Sequence, residues 1–122
     1  MLNCYVVDDE LHALNIVCDY INKTPNTNLV GKSDDPLAAL QEINDIMPDI
    51  AFVDIEMPNL NGFDLTKRIK QSDKFCNMPV IIVTSLGSDA QKKQGIEVGA
   101  NAYIVKHDFD STQLLDIVAQ LI

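Results

Sequence analysis

Five residues of complementary chemistry stand at the ends of short apolar runs. Asp8 and Asp9 close Cys4-Tyr5-Val6-Val7, and Asp54 closes Ile50-Ala51-Phe52-Val53. Thr84 follows Val80 to Val83, and Lys106 follows Ala102 to Val105. Ligands of an open parallel α/β sheet bind in the crevice outside the carboxyl ends of the strands, so these side chains would meet at one spot. Three carboxylates, a hydroxyl and an ammonium suit a divalent cation and a phosphoryl group. A hard cation such as Mg²⁺ takes near-octahedral oxygen ligands and keeps several waters. Asp9 and Asp54 are the natural direct ligands, with Asp8 acting directly or through a water. A backbone carbonyl just after the third strand, that of Glu56, would complete the set. Asp54 is also the natural nucleophile, because a carboxylate can accept a phosphoryl group as an acyl phosphate. The cation would neutralise the equatorial oxygens, and Lys106 would bind another oxygen as a point charge. Thr84 would donate its hydroxyl to the product, and the added charge would draw a loop inward through new hydrogen bonds.

Taken singly, each residue has a plainer reading. An isolated Asp at a strand end is usually a turn or cap residue, Thr84 a strand-end residue, Lys106 a solvated charge. The functional reading prevails because four separate strands deliver compatible groups to the same edge.

The elements that would hold them alternate strand and helix five times. The first strand, about residues 2–7, is nearly all apolar after Asn3, as in a strand covered on both faces. A helix from about Glu10 to Asn22 places Leu11, Leu14, Cys18 and Ile21 at helical spacing. Thr24-Pro25-Asn26 breaks the chain before a short edge strand, Asn28 to Lys32. Pro36 suits the first turn of the second helix, whose Leu37, Leu40, Ile43 and Met47 would face inward before Pro48 ends it. The third strand is Ile50 to Val53, and the third helix, about Gly62 to Gln71, would bury Leu65 and Ile69. Val80 to Val83 reads as a central strand. The fourth helix, capped near Ser88-Asp89, is the poorest. Its apolar stripe is thin, and Gly95 costs about 0.5–1 kcal/mol relative to Ala, so it is the element able to shift with a neighbouring site. Ala102 to Val105 and a last helix from Asp110-Ser111, carrying Leu114, Leu115, Val118, Leu121 and Ile122, finish the chain. The predicted fold is a doubly wound, flavodoxin-like α/β sheet of five parallel strands ordered 2-1-3-4-5 with five helices.

The 122 residues, 47% of them hydrophobic, fit one compact domain over 1–122. No linker, repeat, charge block or membrane-length apolar run interrupts them, and no signal peptide is visible. Cys4, Cys18 and Cys76 have neither zinc nor CxxC spacing, and read as reduced thiols in a cytoplasmic protein. A net charge of −9 argues against direct nucleic-acid binding, which needs a basic surface. The small basic groups Lys67-Arg68-Lys70 and Lys92-Lys93 read as solvated helix faces.

These residues resemble the receiver domain of two-component response regulators. The motifs are Val7-Asp8-Asp9-Glu10, Asp54-Ile55-Glu56-Met57-Pro58 followed by Gly62, Val83-Thr84-Ser85, and Gly99-Ala100 before Tyr103-Ile104-Val105-Lys106. The resemblance spans the whole chain. It implies phosphorylation of Asp54 by a histidine kinase or phosphotransfer protein, with Mg²⁺ held by Asp8, Asp9 and Asp54. Thr84 and Lys106 would be the conformational and phosphoryl-binding partners, and Tyr103 the switch aromatic. The output surface would be the fourth helix, fifth strand and fifth helix, acting on an unknown protein target. The domain would be a monomer or a phosphorylation-dependent dimer, standing alone or cut from a longer protein, and would catalyse only its own phosphorylation and dephosphorylation.

Two departures stand out. His107, read as a loop residue, replaces the family's usual proline, which is joined by a cis peptide. A non-proline cis bond costs about 2.5–4 kcal/mol, so this turn is read as trans or differently shaped. Glu56 adds a carboxylate near the phosphoryl site. Residues up to about Asp64 resemble receivers attached to LytTR-type DNA-binding domains. From about Met78, Val83 to Asp89 and Lys106 to Phe109 resemble receivers fused to chemotaxis-type histidine kinases, a mixture open to a natural chain or an engineered chimera. The rival readings are a Mg²⁺-dependent phosphohydrolase of the haloacid dehalogenase type, faintly echoed by Asp54-Ile55-Glu56, and a scaffold-only receiver. Against the hydrolase, its motif has Asp where Glu56 stands, and the chain lacks a cap.

Overall fold

Apolar residues alternate between the two faces of every central strand, and this alternation builds two helical layers on one sheet. The computed structural model describes residues 1–57, 60–85, 87–106 and 109–121. Pro58, Leu86, His107 and Ile122 lie outside the described residues, as does the Lys106–His107 peptide. The strands are β1 (Leu2–Val7), β2 (Thr27–Ser33), β3 (Ile50–Val53), β4 (Val80–Thr84) and β5 (Ala102–Val105). The helices are α1 (Leu11–Lys23), α2 (Pro36–Ile46), α3 (Gly62–Gln71), α4 (Asp89–Glu97) and α5 (Ser111–Leu121). All strand pairs are parallel, in the order β2-β1-β3-β4-β5. The predicted sheet is the observed one.

On one face Cys4, Val6, Ile50, Phe52, Ile81 and Val83 meet α1 and α5 through Leu14, Val17, Cys18, Ile21, Leu114 and Val118. On the other, Tyr5, Val7, Ala51, Val53 and Val80 meet α2 and α3 through Ala39, Ile43, Leu65 and Ile69. A smaller group of Ile55, Phe63, Ile82 and Ala100 lies nearer α4, with Tyr103 packed against it. This two-sided burial is why the central strands read as continuous apolar runs rather than as alternation.

Two inward assignments, Leu37 and Met47, are corrected, and Leu11, at helical spacing in α1, also turns outward. Leu11, Leu37 and Met47 are exposed, and α2 instead buries Pro36, Ala39 and Ile43, with Leu40 half-buried. Each outward residue sits at a helix end. Leu11 and Leu37 occupy first turns, and Met47 is a left-handed C-cap with φ 57°. In α2 the inward stripe runs through Pro36, Ala39 and Ile43, so Leu37, one residue past Pro36, turns to solvent.

Capping follows the local chemistry. Asp35 Oδ1 accepts from the Leu37 N–H, and Asn61 Oδ1 from the Asp64 N–H. Ser88 and Gln91 form a reciprocal capping box on α4. Asp110 Oδ1 accepts from the Gln113 N–H at the start of α5. Among the described residues no helix is long and apolar enough to cross a membrane. Cys4 and Cys18 are buried free thiols, and Cys76 is an exposed one.

Candidate functional site

The sheet ladder itself brings the carboxylates together. Val7 of β1 pairs with Val53 of β3, so the next residues, Asp8 and Asp54, leave adjacent strands side by side. Each is pinned by its main chain: the Asp54 N–H donates to the Val7 carbonyl (3.0 Å), and the Asp8 N–H to the Ser33 carbonyl (3.1 Å). Asp8 and Asp54 are buried, whereas Asp9 is exposed. One oxygen from each of the three carboxylates lies within 4.8 Å of the others.

Lys106, just past β5, reaches across this group. Its Nζ lies 2.9 Å from Asp8 Oδ2, 3.6 Å from Asp54 Oδ1 and 3.6 Å from Glu10 Oε2. The Glu10 N–H also donates to Asp8 Oδ1 (2.9 Å). Thr84, fully buried at the end of β4, hydrogen-bonds the Asp54 side chain, which also accepts from the Ile55 N–H.

Burial dominates the electrostatics. Desolvation, reinforced by the charge of Asp8, pushes Asp54 up to about 6, against the lowering effects of Lys106, the Ile55 N–H and Thr84. Desolvation likewise raises Asp8, although Lys106 and the Glu10 N–H favour its charged form. Burial disfavours charge on Lys106, but Asp8, Asp54 and Glu10 outweigh it and raise its pKa. The Tyr103 hydroxyl is raised by burial and then by the Asp54 charge.

The loop after Asp54 is closed by a glycine. A Cβ on Gly62 would lie 2.1 Å from the Asp54 carbonyl oxygen, so only glycine lets α3 begin against that backbone. The Ile55 carbonyl accepts from both the Met57 and Gly62 N–H groups, at 3.0 and 2.9 Å. The Glu56 side chain is exposed beside this turn.

Asp8, Asp9, Asp54, Thr84 and Lys106 thus gather as their strand-end positions implied, and Tyr103 stands on β5 opposite Ile82. Glu10 was not singled out as a partner of Lys106. Its only signal was continuity with the acidic pair Asp8-Asp9. Hard all-oxygen donors lying within 4.8 Å of one another are the kind of donor set that suits Mg²⁺.

Comparison with known proteins agrees with this geometry. The family model described as the response regulator receiver domain matches residues 4–119. A protein-glutamate methylesterase/protein-glutamine glutaminase of Methanospirillum hungatei is 33% identical over 108 residues, covering 87% of this chain and 31% of that protein. A like-named protein of Syntrophomonas wolfei is 35% identical over 103 residues, covering 83% of this chain and 28% of that protein. The chain therefore spans about a third of the length of these relatives or less. Among solved structures, the response regulator domain of Thermotoga maritima CheB superposes with a TM-score of 0.87 at 29% identity, over 99% of this chain and 96% of that one. CheY in the CheX-CheY-BeF3-Mg complex from Borrelia burgdorferi gives a TM-score of 0.87 at 25% identity, over 98% and 88%.

Proposed function

The chain belongs to the response regulator receiver family of two-component signalling, and on that premise we propose that Asp54 accepts a phosphoryl group from a phosphohistidine partner. The observation that carries this reading is the convergence of the Asp8, Asp9 and Asp54 oxygens within 4.8 Å, with the Lys106 ammonium 3.6 Å from Asp54. An Asp54 oxygen attacks phosphorus as the donor's P–N bond breaks. The bonding pair leaves with the imidazole nitrogen, and an acyl phosphate forms.

Asp8, Asp9 and Asp54, with the Glu56 carbonyl, would hold Mg²⁺, which when bound supplies charge neutralisation for the phosphoryl oxygens. Lys106 binds a phosphoryl oxygen and Thr84 donates its hydroxyl to another. With its pKa near 6, Asp54 is mainly the nucleophilic carboxylate at neutral pH. Drawing Thr84 toward the phosphoryl group vacates space beside Tyr103, and the α4-β5-α5 surface responds. Residues 1–122 act as one receiver unit. Its partners are a histidine kinase or phosphotransfer protein and a downstream protein that reads the switched surface. The beryllofluoride and magnesium named for the Borrelia complex support the same chemistry in a relative.

Incubation with acetyl phosphate and Mg²⁺ tests the reading. The protein is expected to be labelled at one site, and Asp54→Ala to lose the label. Retained Mg²⁺-dependent labelling in that variant sinks the assignment. Repeated turnover of p-nitrophenyl phosphate would instead favour a hydrolase.

A further inference from the structure

Helix α4 carries a glycine in its interior, where glycine weakens a helix, and the fold gives that glycine a task. Gly95 is the buried residue of α4, and every other residue from Asp89 to Glu97 is half or fully exposed. A Cβ on Gly95 would lie 2.8 Å from Cδ2 and 3.2 Å from Cε2 of Tyr103, and 3.1 Å from Cδ1 of Ile82. Ile82 and Tyr103 are register partners on β4 and β5. The middle of α4 therefore rests on the sheet at one place, a glycine laid against an aromatic ring. The Ala100 N–H also donates to the Gly95 carbonyl (3.0 Å), and the Ser88–Gln91 capping box closes the start of the helix on itself.

We propose that Gly95 is a positioning residue for Tyr103, its missing Cβ reserving the ring's place beneath α4 so that ring and helix move together. The Ile82 contact is with the terminal methyl of a fully buried core side chain, which is held in place, whereas Tyr103 is half-buried and has room to move. The ring fills the space nearest the missing Cβ, so a methyl group at position 95 must displace it or lift the helix. The seat exists without phosphorylation. Only its use as a relay rests on the reading of Asp54 as phosphoacceptor.

The test uses the full chain labelled with 3-fluorotyrosine, whose three tyrosines, Tyr5, Tyr20 and Tyr103, give separate fluorine resonances. Loss of a peak in Tyr103→Phe assigns the third. Gly95→Ala is expected to move the Tyr103 resonance by more than its linewidth and to leave Tyr5 and Tyr20 in place. It should lower the melting midpoint with Tyr103 present and raise it in a Tyr103→Ala background, where alanine's better helix propensity is unopposed. Mg²⁺ with beryllofluoride should shift the Tyr103 resonance of the unsubstituted protein, and shift it at least twofold less in Gly95→Ala. An unmoved Tyr103 resonance, or the same melting change in both backgrounds, overturns the proposal. If Gly95→Ala does not fold, a folded double variant supports the proposal and an unfolded one refutes it. Failure of the unsubstituted protein to respond to beryllofluoride counts against the Asp54 reading, while the metal-free comparisons still decide the role of Gly95.

Discussion

Lys106 leans toward Asp8: its ammonium lies 2.9 Å from Oδ2 of that carboxylate and 3.6 Å from Oδ1 of Asp54. Its closest acidic partner is therefore the neighbour of the proposed acceptor. Asp8 is buried, so its charge depends on that ammonium and on the Glu10 N–H. Lys106→Met should leave a buried carboxylate short of a partner and lower stability by about 1–3 kcal/mol near neutral pH. The loss should shrink at about pH 5, where the orphaned acid can take a proton. Urea denaturation at the two pH values checks this, and a pH-independent loss contradicts it.

Asp54 gives the metal-free protein a pH dependence of definite sign. Its folded pKa of about 6 lies above the ordinary 3.8, so the folded state holds the proton more tightly. Its stabilising contribution is complete below the ordinary value and disappears as pH rises through about 6. By linkage, a shift of this size is worth on the order of 2–3 kcal/mol. Asp8 is shifted in the same direction. In EDTA the protein should be more stable at about pH 5 than at about pH 7.5, and Asp54→Asn should flatten much of that slope. Mg²⁺ should reverse it, because the ion binds the deprotonated site. Equal stability at both pH values without metal rules this account out.

Gly62→Ala tests the tightness of the loop after Asp54. The added methyl would sit 2.1 Å from a main-chain oxygen, which cannot turn aside as a side chain would. Stability should fall by about 1–3 kcal/mol, and Mg²⁺ affinity should fall with it because Asp54 is displaced. Calorimetric Mg²⁺ titration beside thermal melting measures both. Unchanged metal affinity in a destabilised variant would separate the loop from the site.

The parts of the site at strand ends were legible in the sequence for a geometric reason. A short apolar run that stops at an acid places that acid at the carboxyl edge of a parallel sheet, and adjacent strands then fix its neighbours. Helix faces were less legible. Leu11, Leu37 and Met47 matched helical spacing, but spacing alone does not fix which stripe turns inward, and in α2 it runs through Pro36, Ala39 and Ile43. Gly95 read locally as a defect, because propensity counts the missing side chain and cannot see the Tyr103 ring that fills its place. Glu10 needed the position of Lys106, which arrives from nearly a hundred residues away in the chain.

The pairing of Val7 with Val53 carries a wider consequence. Because the two inner acids are anchored through main-chain bonds of neighbouring strands, their spacing is insulated from the solvent-facing sides of the helices. Substitutions on those outer faces should therefore leave the spacing of Asp8 and Asp54 unchanged.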